Sequence, residues 1–234
     1  MSGRVSYLGG IVKDGLILDL DAGKLDSYNR LGTTWNDISG NRNNGTLTNF
    51  SSPSPQTIWN GDNGGGIIFD GTNDYISSFP QQISDINSKT IEVWFRTTTT
   101  VRTGLCGTTS STGVNGWSFL VNRTTAGNLT YFHNGGTILQ VTAGILNNVW
   151  YQACVTYNSI TAIGTLYLNG TQIGTPLGSF TSMGVSSYNG IIGNEDQLLT
   201  SPFKGNISVT RIYNRTLSAS EVLQNYNATK GRYI

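Results

Sequence analysis

The sequence predicts an all-β protein, a meander or jelly-roll sandwich that ends in one short helix. The first reason is composition: 30 of the 234 residues are Gly and only 12% are charged, which is typical of a turn-rich chain with one sizeable core. The second is a series of short β-branched and aromatic runs between residues 103 and 158, separated at regular spacing by Gly or Asn. The third is that helical spacing of apolar residues is clear only near the C-terminus.

The first fourteen residues carry no long apolar pattern. We therefore expect residues 1–14 to form an arm that docks on another surface, and residues 15–234 to form the sandwich domain. Some side chains of the arm are more hydrophobic than a free tail requires, and a partner surface should cover them. They are Tyr7, Leu8, Ile11 and Val12.

The domain opens with a predicted strand in GLILDLDAG, residues 15–23, where Leu16, Leu18 and Leu20 alternate with Ile and Asp. Terminal strands of antiparallel sandwiches are often neighbours. We therefore expect this strand to pair with the run from Ile207 to Tyr213 near the other end of the chain. That run would place Ile207, Val209 and Tyr213 on one face.

The next segments alternate loops and strands. Residues 35–50 are rich in Asn, Asp, Ser and Gly, which indicates an ordered loop held by side-chain-to-backbone hydrogen bonds. GGIIFDGTNDYISSF, residues 65–79, is interpreted as a hairpin around DGTND. TIEVWFR, residues 90–96, has the strongest β-propensity and is predicted to be a central strand. Its buried face would consist of Ile91, Val93 and Phe95.

The second half of the chain contains further strand signals. The runs that predict strands after residue 102 are GLCG, GWSFLVN, GNLTYFHN, GTILQVT and NNVWYQACVTYN. TLYLNGTQIGT, residues 165–175, predicts a hairpin because Asn169 and Gly170 readily adopt the positive φ that both turn positions need. Ser218, with Glu221 three residues later, predicts a capping box at the start of the helix. The apolar face of that helix would consist of Val222, Leu223 and Tyr226.

Charge and hydropathy argue against two classes of partner. A net charge of +1 with no basic run leaves no electrostatic footprint for nucleic acid or anionic lipid. No apolar run approaches the length of a bilayer, and the first residues lack the apolar core of an export signal, so we expect a soluble chain made without export.

Cys106 and Cys154 have small and apolar neighbours and are expected to be free buried thiols. The sequence does not decide against a disulfide between them, because pairing depends on their distance.

Six motifs in order carry a resemblance to a known family. They are WNDISGNRNNG, IIFDGTNDYI, TIEVWFR, VWYQACVTYN, LYLNGTQIG and FKGNISVTRIYNRTLSASEV. Together they span nearly the whole chain, which resembles the laminin-G-like domains of the concanavalin A-like lectin and glucanase superfamily. The resemblance implies a two-sheet antiparallel jelly roll with a concave face. It does not imply one activity, since the superfamily hosts lectins, glycosidases, pentraxins and pure packing modules.

A narrower resemblance concerns the first part of the chain. GLILDLDAGKLDSY, WNDISGN and GTLTN together look most like the laminin-G-like subset of tailed-bacteriophage structural proteins. This implies a non-enzymatic virion protein on the particle surface, synthesised in the host cytoplasm, that serves as a decoration or adhesion module for host or environmental glycans. Its other partners would be virion proteins bound through residues 1–14, with no nucleic acid and no membrane. Homo-oligomerisation is left open.

Two alternatives remain, a calcium-dependent lectin or adhesin domain of a bacterial surface protein and, third, a glycoside hydrolase. The hydrolases that resemble this fold use two Glu and an Asp alternating on one strand, which places acid and nucleophile about 5 Å apart. The only glutamates here, Glu92, Glu195 and Glu221, lie in different predicted elements. His133 is the only histidine, and the sequence marks neither a nucleophile beside it nor a residue that would orient it as a general base. We therefore predict no enzymatic activity and no catalytic residue.

Calcium is a candidate ligand, although no cofactor is required. The pentraxin relatives bind calcium through a GxExD-like loop, and GNEDQ, residues 193–197, is similar except that its acid and amide stand in reverse order. A second oxygen-rich stretch lies in WNDISGNRNNG. The candidate ligands are Glu195, Asp196 and Gln197 in the first loop, and Asp37 and Asn41, beside Asn43 and Asn44, in the second. The alternative for both is a loop held by side-chain-to-backbone bonds without metal.

Carbohydrate binding requires aromatic platforms beside short polar side chains. Trp94 and Trp150 lie in predicted central strands, where packing is the expected role. Trp59 lies in a loop bounded by Pro and Gly and is predicted to be exposed. Trp59 and Trp35 are therefore the candidate glycan-binding residues.

Overall fold

The computed structural model describes residues 9–50, 58–78, 88–109, 115–133, 137–178, 180, 186 and 188–234. In chain order the strands are β1 (Leu16–Asp21), β2 (Thr34–Trp35), β3 (Gly45–Thr48), β4 (Trp59–Asn60), β5 (Gly66–Asp70), β6 (Tyr75–Ser77), β7 (Lys89–Thr97), β8 (Thr103–Gly107), β9 (Trp117–Val121), β10 (Asn128–His133), β11 (Thr137–Thr142), β12 (Tyr151–Asn158), β13 (Ile163–Leu168), β14 (Thr171–Leu177), β15 (Ile191–Ile192) and β16 (Lys204–Tyr213). Within the described ranges, α1 spans Ala219–Thr229, and 3-10 turns span Asp62–Gly64 and Lys230–Arg232.

The strands form two antiparallel sheets of eight, as expected for a jelly-roll sandwich. Sheet A has the order β14-β13-β12-β7-β16-β5-β4, and β1 pairs with β16. Sheet B has the order β11-β10-β9-β8-β15-β6-β3-β2. The predictions of a central TIEVWFR strand, of β1 beside the C-terminal strand and of a hairpin at Asn169 and Gly170 are confirmed. No helix in these described ranges is long and apolar enough to span a membrane.

The main core lies between the sheets, and alternation along each strand determines which side chains enter it. Ile91, Val93 and Phe95 of β7 point into this core, and Glu92 and Trp94 point to the other face of sheet A. Cys106 belongs to the main core, whereas Cys154 packs on the other face of sheet A. Both cysteines are free and buried, as predicted.

The predicted shared face of Ile207, Val209 and Tyr213 is wrong. The register of β16 against β7 shifts between Ile207 and Val209. This irregularity inverts the alternation, so Ile207 packs in the main core while Val209 and Tyr213 pack on the outer face of sheet A. One strand therefore supplies two apolar layers.

The predicted hairpin around DGTND is also wrong. β5 pairs with β16 and β4 in sheet A, whereas β6 pairs with β3 and β15 in sheet B. The turn connects the two sheets instead of two paired strands. Its carboxylates hold the bend, because Asp74 accepts a hydrogen bond from the Asp70 amide and Asp70 accepts one from the Thr72 amide.

Helix α1 covers the outer face of sheet A. The predicted capping box is present, with Ser218 and Glu221 bonded reciprocally. The predicted apolar face is only partly correct: Val222 is buried, but Leu223 is 42% exposed. The remaining buried positions are polar, because Asn225 and Thr229 bond to groups beneath the helix.

A buried ionic network lies under this helix. Arg211 of β16 donates to Asp19 of β1 and to Glu92 of β7, in both cases at 2.8 Å. Asn225 of α1 donates to the second oxygen of Glu92. The polar side chains of Asp19 on β1 and Glu92 on β7 are therefore buried as well, and they bond to Arg211 and, for Glu92, to Asn225 of the helix.

The described part of the N-terminal arm lies against the same chain. The Val12 amide donates to Asn225 at 2.8 Å, and the Tyr213 hydroxyl donates to the Val12 carbonyl at 3.1 Å. Val12 is buried and Ile11 packs beside it. Tyr7 and Leu8 lie outside the described residues, and docking of residues 1–14 on a partner stays a prediction.

A candidate ligand pocket on the outer face of sheet B

The outer face of sheet B is defined by strand alternation. On β6, Ile76 points into the main core, so Tyr75 and Ser77 point outward. On β15, Ile192 belongs to the core, and Ile191 lies on the outer face beside Ser77. These outward positions form the floor of a surface depression.

A segment from Asn194 to Ser201 lies over the outer face next to this depression. The Glu195 carbonyl accepts hydrogen bonds from Ser118 at 2.7 Å and from Thr109 at 3.0 Å. Gly104 and Gly107 of β8 allow the close approach, because a Cβ atom at either position would collide with the Glu195 backbone. The sheet surface therefore positions one wall of the depression.

The opposite wall is the segment that precedes β15. The Ser186 hydroxyl donates to the Thr108 carbonyl at 2.6 Å and accepts from the Tyr188 amide at 3.1 Å. The Ser78 amide donates to the Gly190 carbonyl at 2.9 Å. These bonds fix the backbone on both sides of Tyr188, whose side chain remains 43% exposed.

Between the two walls lies a pocket of about 300 Å³, which we call the tyrosine pocket. The Gln197 amide group donates to the Asn189 carbonyl at 2.7 Å and so joins the walls. The pocket lining includes two tyrosines, a serine and two residues with side-chain amides, all of which can donate and accept hydrogen bonds. The described residues that line it are Tyr75, Ser77, Tyr188, Asn189, Gly190, Ile191 and Gln197.

Of the predicted GNEDQ calcium ligands, only Gln197 reaches the pocket. Glu195 is buried, and its carboxylate oxygens accept from Arg102 at 2.7 Å and from the Ser201 hydroxyl. Asp196 accepts from the Thr200 hydroxyl at 2.6 Å. A guanidinium already occupies the place of a cation beside Glu195, so these residues as arranged do not fit a calcium ion.

The second candidate calcium loop, residues 35–45, is held by side-chain-to-backbone hydrogen bonds, the metal-free alternative given above. The Asp37 carboxylate accepts four of them, from the amides of Asp19, Ser39 and Asn43 and from the Ser39 hydroxyl. Asn41 donates to the Leu16 carbonyl. Across the described part of the chain, no group of three or more His, Cys, Asp or Glu is placed to hold a metal ion. Calcium binding stays a prediction to be tested.

The two predicted glycan-binding tryptophans lie away from the pocket lining. Trp35 is fully buried in the main core, so the prediction that it contacts a glycan is wrong in this structure. Its loop folds back on the sheet, which local sequence does not indicate. Trp59 is half-buried, with the Arg30 guanidinium 3.9 Å from its ring centre and with Gly65 packed beside it. A role for Trp59 in glycan binding stays a prediction.

Sequence reasoning did not identify the two tyrosines. Tyr75 and Tyr188 are more than 100 residues apart, and β15 and β6 bring them together. A local signal was available for Tyr188, an aromatic residue beside Asn–Gly in a Gly- and Ser-rich loop. Aromatic residues in ordered loops are common at binding sites.

The three glutamates lie in separate places, and each is paired with an arginine. Glu92 pairs with Arg211 under α1, Glu195 with Arg102, and Glu221 with Arg215. Hydrogen bonding from Arg215 lowers the pKa of Glu221 to about 2. The described lining of the tyrosine pocket contains no carboxylate.

Solved structures from several sources share this fold. Domain 4 of AbnA, an extracellular GH43 arabinanase from Geobacillus stearothermophilus solved with arabinotriose, has a TM-score of 0.67 at 20% identity, covering 90% of this chain and 98% of that one. The CBM40 of a Ruminococcus gnavus IT-sialidase, solved with alpha2,3 sialyllactose, has a TM-score of 0.57 at 20% identity, covering 68% and 94%.

The binding domain of botulinum neurotoxin serotype D has a TM-score of 0.63 at 15% identity. The alignment covers 92% of this chain but 52% of that structure, so the chain spans about half its length. At these identities the likenesses show a common fold. No curated protein matches the sequence.

The family comparison is more direct than these structural likenesses. The model of the Laminin_G_3 family, described as concanavalin A-like lectin/glucanases superfamily, matches residues 70–223. This range is more than half of the chain and extends from the end of β5 into α1. The chain therefore belongs to the Laminin_G_3 family of the concanavalin A-like lectin/glucanases superfamily.

Proposed function

We propose that the protein is a non-catalytic carbohydrate-binding module whose binding site is the tyrosine pocket. The observation that carries the proposal is the pocket lining, which includes two tyrosines, Tyr75 and Tyr188, and two residues with side-chain amides, Asn189 and Gln197. Sugar rings present flat C–H faces and a rim of hydroxyl groups. An aromatic side chain buries such a face, and amide groups both donate to and accept from hydroxyls.

The architecture of the pocket favours binding without large rearrangement. Ser186, Gly190 and Gln197 tie both walls to backbone or sheet by hydrogen bonds. Walls fixed before the ligand arrives lose less conformational entropy on binding. The pocket is open to solvent, which suits a glycan chain that enters with one residue and continues outside.

The comparisons with solved structures support the same class of ligand. Two of the similar structures, the arabinanase domain and the sialidase CBM40, were solved with a bound oligosaccharide. The family also hosts packing modules, so the pocket residues rather than the fold carry the proposal.

The arrangement of acids supports binding rather than hydrolysis. Glycoside hydrolases need two carboxyl groups about 5 to 9.5 Å apart across the scissile bond. Glu92, Glu195 and Glu221 instead lie in separate arginine pairs, and Glu92 is buried under α1. A reducing-sugar assay on glucans should therefore detect no product.

A glycan array followed by titration calorimetry tests the proposal. Tyr188→Ala should weaken binding of an array-positive glycan at least about tenfold, since burying an apolar face of this size contributes on the order of 1.5–3 kcal/mol. Tyr188→Phe should retain most of the affinity. The control is Ile160→Ala, at a residue 92% exposed in the β12–β13 turn. Equal binding by Tyr188→Ala and the control would exclude the pocket as the site.

We further propose that the module is displayed on a phage virion as a decoration or adhesion protein. The support is the motif combination GLILDLDAGKLDSY, WNDISGN and GTLTN, which resembles tailed-phage structural proteins. Residues 1–14 would then contact other virion proteins. Cryo-electron microscopy of the source particle should show density for the sandwich on its surface. Absence from purified particles would instead favour the bacterial lectin or adhesin, whose binding a chelator should abolish.

A further inference from the structure

The described side chains that line the tyrosine pocket carry no formal charge. They are two tyrosines, a serine, an isoleucine, an asparagine and a glutamine around a glycine. The chain has 14 Lys and Arg residues and one His, and none of these belongs to the described lining. A sugar entering this pocket therefore meets hydrogen-bonding groups and rings but no cation.

The sequence on either side of the lining residues and of the neighbouring strands is also free of cations. Residues 43–58, 71–88, 103–122 and 178–194, which include the β3, β6, β8, β9 and β15 strands, contain no Lys, Arg or His. The only charged residues in these four ranges are acidic, Asp74 and Asp85.

The charges that lie near the pocket are acidic. Asp196 directly precedes Gln197, and its carboxylate accepts hydrogen bonds from the amide and hydroxyl of Thr200. Among the described residues, no ion pair includes Asp196. Asp74 directly precedes Tyr75. Arg102, which contacts the same segment, is paired with Glu195 at 2.7 Å. The local electrostatic field therefore disfavours an anionic ligand.

We infer that the tyrosine pocket binds a neutral sugar and rejects sugars that carry a carboxylate or sulfate. This inference rests on the proposed function. An anionic sugar would lose water on entering and find no cation to replace it, which is costly. The hydroxyls of a neutral hexose or pentose can instead exchange water for the polar groups of Ser77, Asn189 and Gln197 at little cost.

An array of matched glycan pairs tests the inference, each pair sharing one core with and without a sialic acid, uronic acid or sulfate at the terminal residue. The neutral member should bind at least about tenfold more tightly than its anionic partner. Gln197→Lys should reduce the ratio of neutral-glycan affinity to anionic-glycan affinity, because it adds a cation to the pocket wall. Gln172→Lys, which adds the same charge on β14, should leave the ratio unchanged.

Each outcome is decisive. Equal or tighter binding of the anionic members would overturn the inference and leave the proposed glycan-binding function standing. An unchanged ratio in Gln197→Lys would also overturn it, because charge at the pocket would not then set selectivity. Binding of no member of either class would overturn the proposed function itself.

Discussion

The side-chain amide of Gln197 donates a 2.7 Å hydrogen bond to the backbone carbonyl of Asn189. This bond joins two segments that reach the outer face of sheet B separately, one anchored through Glu195 and the other through Ser186. Both residues line the tyrosine pocket. The bond therefore sets the distance between the pocket walls.

Removing this bond should weaken glycan binding. We expect Gln197→Ala to reduce the affinity for an array-positive glycan by about five- to tenfold, since a hydrogen bond contributes about 1 kcal/mol. Calorimetry provides the measurement. The matched control is Gln172→Ala, because Gln172 also donates to a backbone carbonyl, that of Gly174, but lies on β14. Comparable losses in both variants would mean that the bond has no special role at the pocket.

Glu195 should stabilise the fold without calcium. Glu195→Gln weakens a partly buried ion pair with Arg102 and the bond from Ser201, so we expect the free energy of unfolding to fall by about 1.5–3 kcal/mol. Millimolar calcium should leave the melting temperature of both proteins unchanged. If calcium raises the melting temperature of the wild type but not of the variant, mass action on a bound ion is the explanation, and our account of this loop fails.

Asp74 should make stability depend on pH. Its side chain is only 4% exposed, and burial raises its pKa to about 6, partly offset by the bond from the Asp70 amide. Because the folded pKa lies above the unfolded value, its stabilising contribution is complete below about pH 4 and is lost as the pH rises through 6. Asp74→Asn, which stays neutral, should stabilise the protein at pH 8 by at most about 3 kcal/mol and hardly at pH 4.

Urea unfolding at the two pH values measures this difference. Asp26→Asn, at an exposed carboxylate, is the control and should have the same small effect at both. A stabilisation by Asp74→Asn that is equal at pH 4 and pH 8 would show that the carboxyl group does not titrate in this range.

The N-terminal segment should contribute to stability from residue 9 onward. Removing residues 1–13 deletes buried Val12 and leaves Asn225 without the amide that it accepts from, so we expect a loss of about 1.5–3 kcal/mol. Removing residues 1–8 should preserve those contacts. Chemical denaturation of the two truncated proteins and the full chain compares them. Identical stability of all three would restore the expectation that residues 1–14 serve only a partner.

Local sequence patterns correctly predicted those elements whose conformation depends on residues close together in the chain. The alternation of Ile91, Val93 and Phe95 determined the inner face of β7, and the turn at Asn169 has the positive φ, 51°, that its type requires. The capping box at Ser218 depends on residues three apart. In each case the deciding interactions lie within a few residues of one another.

Other features depend on contacts between distant segments. The irregularity that separates Ile207 from Val209 is a property of pairing with β7, and β5 and β6 differ in sheet because of their partners. The same holds for the site. Tyr75 and Tyr188 carry no common motif, and only the pairing of β6 with β15 makes them neighbours.

The most direct test of the tyrosine pocket as the binding site is an amide-shift titration of the 15N-labelled protein with an array-positive neutral glycan. We expect the largest shifts at the amides of Ser77, Asn189, Gly190 and Gln197, which are residues of the pocket lining. Gly61, beside Trp59, should be unaffected. Shifts concentrated around Trp59, with the pocket amides unmoved, would contradict the account.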